Sequence, residues 1–218
     1  MEAVQIIALT MGLAWASGIN LYAAIAILGV LGATGNMVLP PGLEVTQHPA
    51  VIVAAGFMYC VEFFADKVPG VDTGWDTIHT FIRIPAAAIL AAGAVWHVDP
   101  AMALVAGILG GALGATSHLL KTGTRVAINA SPEPFSNIGA SVIEDIVVFA
   151  GLFAAIYHPA WFLVFLAAFV AAAAWALPKI WRGIRALWGR AFGTRRRTMT
   201  APASGGLPLN WNVPPLKD

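Results

Sequence analysis

Long apolar stretches, separated by short polar segments, run through most of the chain. Six of them are long enough for a helix that crosses a bilayer, which takes about 20 residues. The predicted spans cover residues 4–33, 49–66, 72–96, 101–122, 138–157 and 160–177. The pattern therefore predicts an all-α polytopic membrane helix bundle with six transmembrane helices.

Four segments depart from this apolar pattern. The first span is interrupted at residues 17–20 by the polar and flexible sequence SGIN, and residues 34–47 are expected to form a loop. Residues 179–190 combine tryptophans with basic residues in an amphipathic pattern, which predicts a C-terminal helix lying at the membrane interface. The polar, proline-rich residues 194–218 predict a disordered cytoplasmic tail.

Composition supports a membrane protein. Hydrophobic residues make up 59% of the chain and charged residues only 11%, whereas soluble domains carry about 25% charged residues. The expected partners are the lipid bilayer and a small ion or metabolite, with no nucleic acid, and a homo-oligomer is left open. No cofactor is expected, except for magnesium under the enzymatic alternative below. The single cysteine, Cys60, excludes an internal disulfide.

The distribution of basic residues predicts an orientation. With six spans, all 12 Lys and Arg residues fall on one side of the membrane, and the loops on the other side have none. Basic loops are retained in the cytoplasm. We therefore expect a multi-pass membrane protein with both termini in the cytoplasm.

Charged residues concentrate at residues 62–83, where the apolar pattern is weakest. Glu62 and Asp66 lie four residues apart and share one helix face. The sequence KVPG at residues 67–70 predicts a turn. On the following helix four side chains fall within about 60° of the circumference: Asp72, Asp76, His79 and Arg83. The segment predicts a helical hairpin with acids on both arms.

More charges are predicted inside the membrane on the later spans. By counting helical rise, Arg83 lies about 10 Å inside the cytoplasmic edge, and Glu144 and Asp145 lie toward the midplane. An unpaired charge there costs at least about 2.5–3.5 kcal/mol. We therefore expect the acids to meet the basic side chains around a polar cavity open to the cytoplasm. Arg83 is expected to pair with Glu62, Glu144 or Asp145, whereas pairing with Asp76 on its own helix is expected to be strained.

Three functions fit this arrangement. The favoured hypothesis is a small transporter or channel-like protein, proton- or cation-coupled. Its substrate or ion pathway would be lined by Asn20, Glu62, Asp66, Asp72, Asp76, His79, Arg83, His118, Lys121, Arg125, Glu144 and Asp145.

The first alternative is a magnesium-dependent membrane enzyme acting on a lipid phosphate or prenyl diphosphate. Mg²⁺ would then be held by Glu62, Asp66, Asp72 and Asp76, and Lys121 and Arg125 would grip the diphosphate. The second alternative is a structural or scaffold protein whose charges only fix helix register. No catalytic residue is assigned.

The sequence ADKVPGVDTGWDTIHTFIR at residues 65–83 resembles the signature of a bacterial membrane-protein family known as domain of unknown function 4126. The sequence SGINL at residues 17–21 and the run His118, Lys121, Arg125 are similar to that family too. The likeness covers about residues 5 to 190. The resemblance implies a multi-pass protein of the bacterial cytoplasmic (inner) membrane, and it implies no activity.

Overall fold

The computed structural model describes residues 2–129 and 134–193, and all regular structure in those ranges is helical. A 3₁₀ helix, Pro41–Gln47, separates the first two α-helices. The α-helices are α1 (Ala3–Ala33), α2 (Pro49–Ala65), α3 (Val71–Val95), α4 (Pro100–Asn129), α5 (Pro134–Tyr157) and α6 (Pro159–Gly193). The predicted fold class, an all-helical membrane bundle, is confirmed.

Within these residues, five α-helices are long and apolar enough to cross a membrane: α1, α3, α4, α5 and α6. The 3₁₀ helix and α2, bent by 70° at residue 48, make a sixth span if they are counted together. The prediction that residues 34–47 form a loop is wrong at their C-terminal part. Leu43 and Thr46 of the 3₁₀ helix are buried, and its Gly42 lies against the backbone of Gly93 on α3.

The C-terminal helix differs from the prediction in its continuity. Residues 179–190 do not form a separate helix, because α6 continues through Pro178 to Gly193. Its location at the membrane interface stays a prediction. The chain divides into two compact units, Met1–Ile184 and Arg185–Asp218. Of the second unit, the structure describes only the helical residues 185–193, so the predicted disordered tail lies outside the described residues.

The polar interruption predicted in the first span is a break in α1. Asn20 has φ −145° and ψ 93°, which is extended rather than helical backbone. A straight helix of this length would place its two ends about 46 Å apart. Instead, Leu9, in the first half of α1, and Leu39, shortly after the end of α1, line the same cavity. Ala94 and His97, at the C-terminal end of α3, line this cavity too.

The contacts show that α1 reverses direction at Asn20. Its first half runs alongside α4: Ala14 packs against Gly110, and the Ile19 carbonyl accepts a hydrogen bond from Lys121. Its second half runs back in the opposite direction alongside α3. This half begins near Tyr22, which bonds His79, and ends near Gly32, which packs against Leu39. Both ends of α1 therefore lie at the same end of the bundle, and the tip at Asn20 lies at the other.

This reversal corrects the predicted topology. The prediction treated residues 4–33 as one crossing and placed the N-terminus on the same side as the basic residues. Ala3 and Val98 line a common cavity at one end of the bundle, whereas Ile180 of α6 lies against Gly123 at the opposite end. The end of the bundle that carries the basic residues is called the basic end. The N-terminus lies at the other end, because the break turns a single span into a helical hairpin.

Small residues let α1, α3 and α4 approach closely. A Cβ atom added to Gly110 would clash with Ala91, and one added to Gly114 would clash with Ala87. Close backbone approach through small residues is the usual basis of helix association in membranes. The three helices therefore form the packed centre of the bundle, and α5 packs on α1.

The outward faces are apolar, and the polar side chains point inward. On α3, Ile78 and Phe81 are 64% and 81% exposed, whereas Asp76 and Arg83 are fully buried. This pattern is the reverse of a helix in water and matches a lipid environment. The chain is an integral, multi-pass membrane protein.

Candidate functional site: a buried charged cluster

Four helices bring seven charged side chains together in the interior of the bundle. They come from the end of α2, the buried stripe of α3, the second half of α4 and the middle of α5. Six of them are at least 95% buried, and the side chain of Glu144 is 19% exposed. The members of this charged cluster are Glu62, Asp66, Asp76, Arg83, Lys121, Arg125 and Glu144.

Arg83 pairs with acids on two helices. Its Nη2 donates to Glu62 Oε1 at 2.6 Å, and its Nη1 donates to Asp76 Oδ1 at 3.0 Å. The predicted pairing with Glu62 is confirmed. The expectation that Asp76 would be too strained to pair is wrong. The two residues share one face of α3, and long side chains on a helix lean toward its N-terminus, so Arg83 spans the two turns.

Lys121 lies at the centre of the cluster. Its Nζ is 2.7 Å from Asp66 Oδ2 and 3.3 Å from Glu62 Oε1. Asp76 and Glu144 carboxylate oxygens lie slightly further away, at 3.7 and 3.9 Å. One ammonium group is therefore surrounded by four carboxylates within 4 Å. Asp66 pairs with this lysine and not with the adjacent Lys67, which contacts Phe63 and Ser141 instead.

The break in α1 supplies a fifth oxygen ligand. In an unbroken helix the Ala23 N–H would donate to the Ile19 carbonyl. Here it donates to the Asn20 side-chain oxygen at 2.9 Å. The released Ile19 carbonyl accepts a hydrogen bond from Lys121 Nζ at 3.1 Å. Asn20 also donates to Asp145 at 3.1 Å, so it connects the tip of the α1 hairpin to α5.

Arg125 holds the outer edge of the cluster. Its Nη2 donates to Glu144 at 2.6 Å, and its Nη1 donates to Asn137 Oδ1 at 2.6 Å and to the carbonyl of Asp66 at 3.1 Å. The two adjacent acids on α5 diverge as helix geometry requires: Glu144 faces Arg125, and Asp145 faces Asn20.

The hydrogen bonds of His118 fit its neutral imidazole. An arginine can only donate, so His118 Nδ1 accepts from Arg83 Nη1 at 3.3 Å. The proton then resides on Nε2, which donates to the Thr80 hydroxyl at 2.7 Å. Thr80 in turn donates to the Asp76 carbonyl at 3.0 Å. The contacts with Arg83 and Thr80 therefore need no charge on the ring.

The cluster has more acid than base. Among the described residues, this cluster combines four carboxylates with three cations, so its own formal charge is −1. Three carboxylate oxygens, Glu62 Oε2, Asp66 Oδ1 and Asp76 Oδ2, are buried with no hydrogen-bond donor from the described residues. Buried polar atoms are nearly always satisfied, so such a concentration of exceptions is typical of a functional site.

A cavity of about 190 Å³ reaches the cluster from its α5–α6 side. Lys121 and Glu144 line it, and Ser117 and Thr124 place hydroxyl groups on α4 beside them. Phe169 of α6 lines it too. Glu144, which borders this cavity, is the most exposed acid of the cluster.

Five residues predicted for the pathway are not members of this cluster. His118 contacts Arg83, and Asn20 and Asp145 bond each other beside the cluster, whereas Asp72 and His79 have other partners. Asp72 accepts hydrogen bonds from the backbone N–H groups of Gly70 and Thr73 and from Asn129, so it fixes the start of α3. His79 bonds the Tyr22 hydroxyl at 3.0 Å and the Trp75 carbonyl at 2.9 Å. Both are buried, but their contacts are those of structural residues.

The acids predicted to hold magnesium do not form a metal-binding group. In the described part of the chain, no set of three or more His, Cys, Asp and Glu side chains is arranged to hold a metal ion. Asp72 is bonded to Asn129 and backbone groups, whereas Glu62, Asp66 and Asp76 surround Lys121.

Sequence reasoning missed several polar residues of the site. Asn137 is fully buried and bonds Arg125, although it lies just before the predicted span 138–157. Thr80 and Tyr22 lie beside the predicted stripe and bond its histidines. The signal available was their spacing: Thr80 lies four residues from Asp76, and Tyr22 follows the break at Asn20.

A family model described as Domain of unknown function (DUF4126) matches residues 7–179. The match covers all seven members of the charged cluster and the break at Asn20. No curated protein and no solved structure matches the chain. The matched region is most of the chain, so this membrane protein belongs to the DUF4126 family.

Proposed function

We propose that the protein is a small transporter or channel-like protein and that the charged cluster is its substrate or ion site. The observation that carries this proposal is the excess of buried acid, four carboxylates against three cations, next to a cavity that reaches Glu144. Ionisable residues inside a membrane protein are expensive, and most of them serve transport, proton relay or ligand binding.

A purely structural role accounts less well for these contacts. Ion pairs that only fix helix register gain most when every polar atom has a partner. Here Glu62, Asp66 and Asp76 each keep one buried oxygen that has no hydrogen-bond donor among the described residues. The break at Asn20 also releases a backbone carbonyl toward the cluster, and irregular backbone at membrane depth commonly lines binding sites in transporters.

The proposed membrane is the bacterial cytoplasmic membrane, with the basic end of the bundle on the cytoplasmic side. Lys67, Lys121 and Arg125 all lie toward that end, as does Lys179 of α6, and basic residues near span ends favour the cytoplasm. The N-terminus would then face the opposite side, since both ends of α1 lie away from the basic end.

Flux into proteoliposomes tests this function. Purified protein would be assayed against a panel of monovalent and divalent ions and small metabolites, with and without an imposed pH gradient. We expect solute- or proton-dependent flux above that of empty liposomes, and its loss in Glu144→Gln. Glu44→Gln is the matched control, because Glu44 is an exposed acid of the 3₁₀ helix. Absence of flux across the whole panel would refute the proposal.

A further inference from the structure

The ion pairs of the charged cluster divide into two similar halves. Each half has one guanidinium group and two carboxylates: Arg83 with Glu62 and Asp76, and Arg125 with Glu144 and Asp66. Lys121 lies between the halves and has an oxygen of all four acids within 4 Å. Its single charge can balance the excess acid of only one half. The other half therefore keeps one unbalanced negative charge.

A proton can balance this charge without a new coordination site. Unbalanced charge inside a membrane protein is costly. The described His, Cys, Asp and Glu side chains form no group that could hold a metal ion, and His118 is bonded as a neutral ring. A carboxylate needs only one O–H bond to become neutral, and carboxylates that share a site commonly hold one proton between them.

Glu144 is the acid of the cluster that a proton can reach most easily. Its side chain is 19% exposed, whereas the other three acidic side chains are at least 95% buried. Glu144 Oε2 accepts a hydrogen bond from Arg125 Nη2 at 2.6 Å. The other oxygen, Oε1, has no hydrogen-bond donor among the described residues and is not buried. Oε1 is therefore an accessible acceptor for a proton.

The cavity that Glu144 borders has the size and polarity to hold water. Its volume is about 190 Å³, and a water molecule takes up about 30 Å³ in the liquid. Ser117 and Thr124 line it, and their hydroxyl groups donate to backbone carbonyls of α4. The hydroxyl oxygens can therefore still accept hydrogen bonds. Water held there can deliver a proton to Glu144 and remove it.

The charged groups that face Glu144 come from α4 and α2. Arg125 and Lys121 lie 2.6 and 3.9 Å from its Oε2, and Asp66 of α2 shares both of these cations. On α5, Asp145 diverges from Glu144 and bonds Asn20 instead. The contributions of α1 and α6 to the cavity, Ile19 and Phe169, are apolar.

Protonation of Glu144 leaves the rest of the cluster connected. Arg125 Nη1 donates to the Asn137 side chain at 2.6 Å and to the Asp66 carbonyl at 3.1 Å. Both acceptors are neutral and do not depend on the charge of Glu144. Arg125 therefore keeps its position when Glu144 loses its negative charge, and the same site can release the proton again.

We propose that the charged cluster binds one proton and that the Glu144 carboxyl group takes it up and releases it. The proposal rests on the transport function above and names its coupling ion. In uptake, a proton from water forms an O–H bond at Oε1, and the formal charge of the cluster changes from −1 to 0. In release, that O–H bond breaks and the proton returns to water.

Infrared difference spectroscopy of the reconstituted protein detects this proton, because a protonated carboxyl group and a carboxylate absorb at different positions. Spectra would be recorded as the pH is lowered from about 9 to about 6, where exposed acids stay ionised because their pKa is about 4. We expect a protonated-carboxyl band to appear in the wild type and in Glu44→Gln, the exposed-acid control. A wild-type spectrum without this band would overturn the proposal.

Two substitutions at Glu144 assign the band. Glu144→Gln leaves three carboxylates with three cations and keeps an oxygen that can accept from Arg125, so we expect it to fold and to lack the band. Glu144→Asp keeps a carboxyl group in a changed position, so its band should remain but shift. A band that persists in Glu144→Gln, or that is unshifted in Glu144→Asp, would assign the proton to another acid and overturn the proposal. If Glu144→Gln fails to fold, the Glu144→Asp spectrum decides alone.

The outcomes separate this inference from the transport function. Solute flux through a wild-type protein that shows no protonated-carboxyl band would contradict the proton site and leave transport standing. A band assigned to Glu144 in a protein that carries no solute would support the proton site and remove transport.

Discussion

Removing Arg83 should be among the most destabilising single changes in this protein. Arg83 is fully buried and pairs with Glu62 at 2.6 Å and Asp76 at 3.0 Å. Arg83→Ala leaves both carboxylates to Lys121 alone. Breaking a buried pair by removing one partner costs about 3–5 kcal/mol. For a chain of this size 1 kcal/mol shifts Tm by about 2–4 °C, so the expected loss is about 6–20 °C.

The assay is thermal unfolding of detergent-purified protein, and the matched control is Arg182→Ala. Arg182 is exposed, and its Nε donates to the Pro178 carbonyl of its own helix. Exposed substitutions usually change stability by less than about 0.5 kcal/mol. Arg83→Lys should fall between the two, because an ammonium cannot reproduce the two-pronged contact to acids on different helices.

A double variant separates charge pairing from packing. Glu62→Gln on the Arg83→Ala background removes one unpaired carboxylate, so the combined loss should be smaller than the sum of the single losses. Coupling between contacting residues is typically about 0.5–3 kcal/mol. Additive effects, or an Arg83→Ala loss as small as that of Arg182→Ala, would refute the argument that these charges are paired and buried.

Two further predictions concern the α1 hairpin. Gly18→Ala should lower the free energy of unfolding by about 1–3 kcal/mol, because its Cβ would overlap Ser117 and the Gly114 carbonyl. The control is Gly74→Ala in the same unfolding assay. A Cβ at Gly74 meets no atom, so this variant should be neutral or stabilising. In a variant lacking the native cysteine, Glu2→Cys and Asn36→Cys should react with an impermeant thiol reagent from one side of the membrane and Val68→Cys from the other. Opposite labelling of Glu2→Cys and Asn36→Cys would contradict the reversal of α1.

Much of the fold followed from apolar run lengths and helix periodicity. The buried stripe of α3 was predictable because Asp76 and Arg83 recur at helical spacing within an apolar segment. The reversal at Asn20 was not predictable, because a mostly apolar stretch of 30 residues has the same composition whether it crosses the membrane once or folds back. Only tertiary contacts, such as the Ile19 carbonyl at Lys121, distinguish the two.

Pairing within the site was predictable only in part. Depth counting placed Arg83 among the acids, but it could not rank its partners, since side-chain reach depends on rotamers. Asn137 was missed because the predicted fifth span begins at residue 138, whereas α5 begins at Pro134. Helix periodicity placed Asp72 on the same face of α3 as Asp76 and Arg83. In the structure Asp72 lies in the first turn of α3, where it accepts a hydrogen bond from the Thr73 backbone N–H.

Flux through the reconstituted protein tests most directly the central claim that the charged cluster is a substrate or ion site. Wild-type protein and Glu44→Gln should show the same solute- or proton-dependent flux in proteoliposomes, because Glu44 is an exposed acid of the 3₁₀ helix. Glu144→Gln should lose that flux. A wild-type protein with no flux across the whole panel, or a Glu144→Gln variant with unchanged flux, would contradict the account.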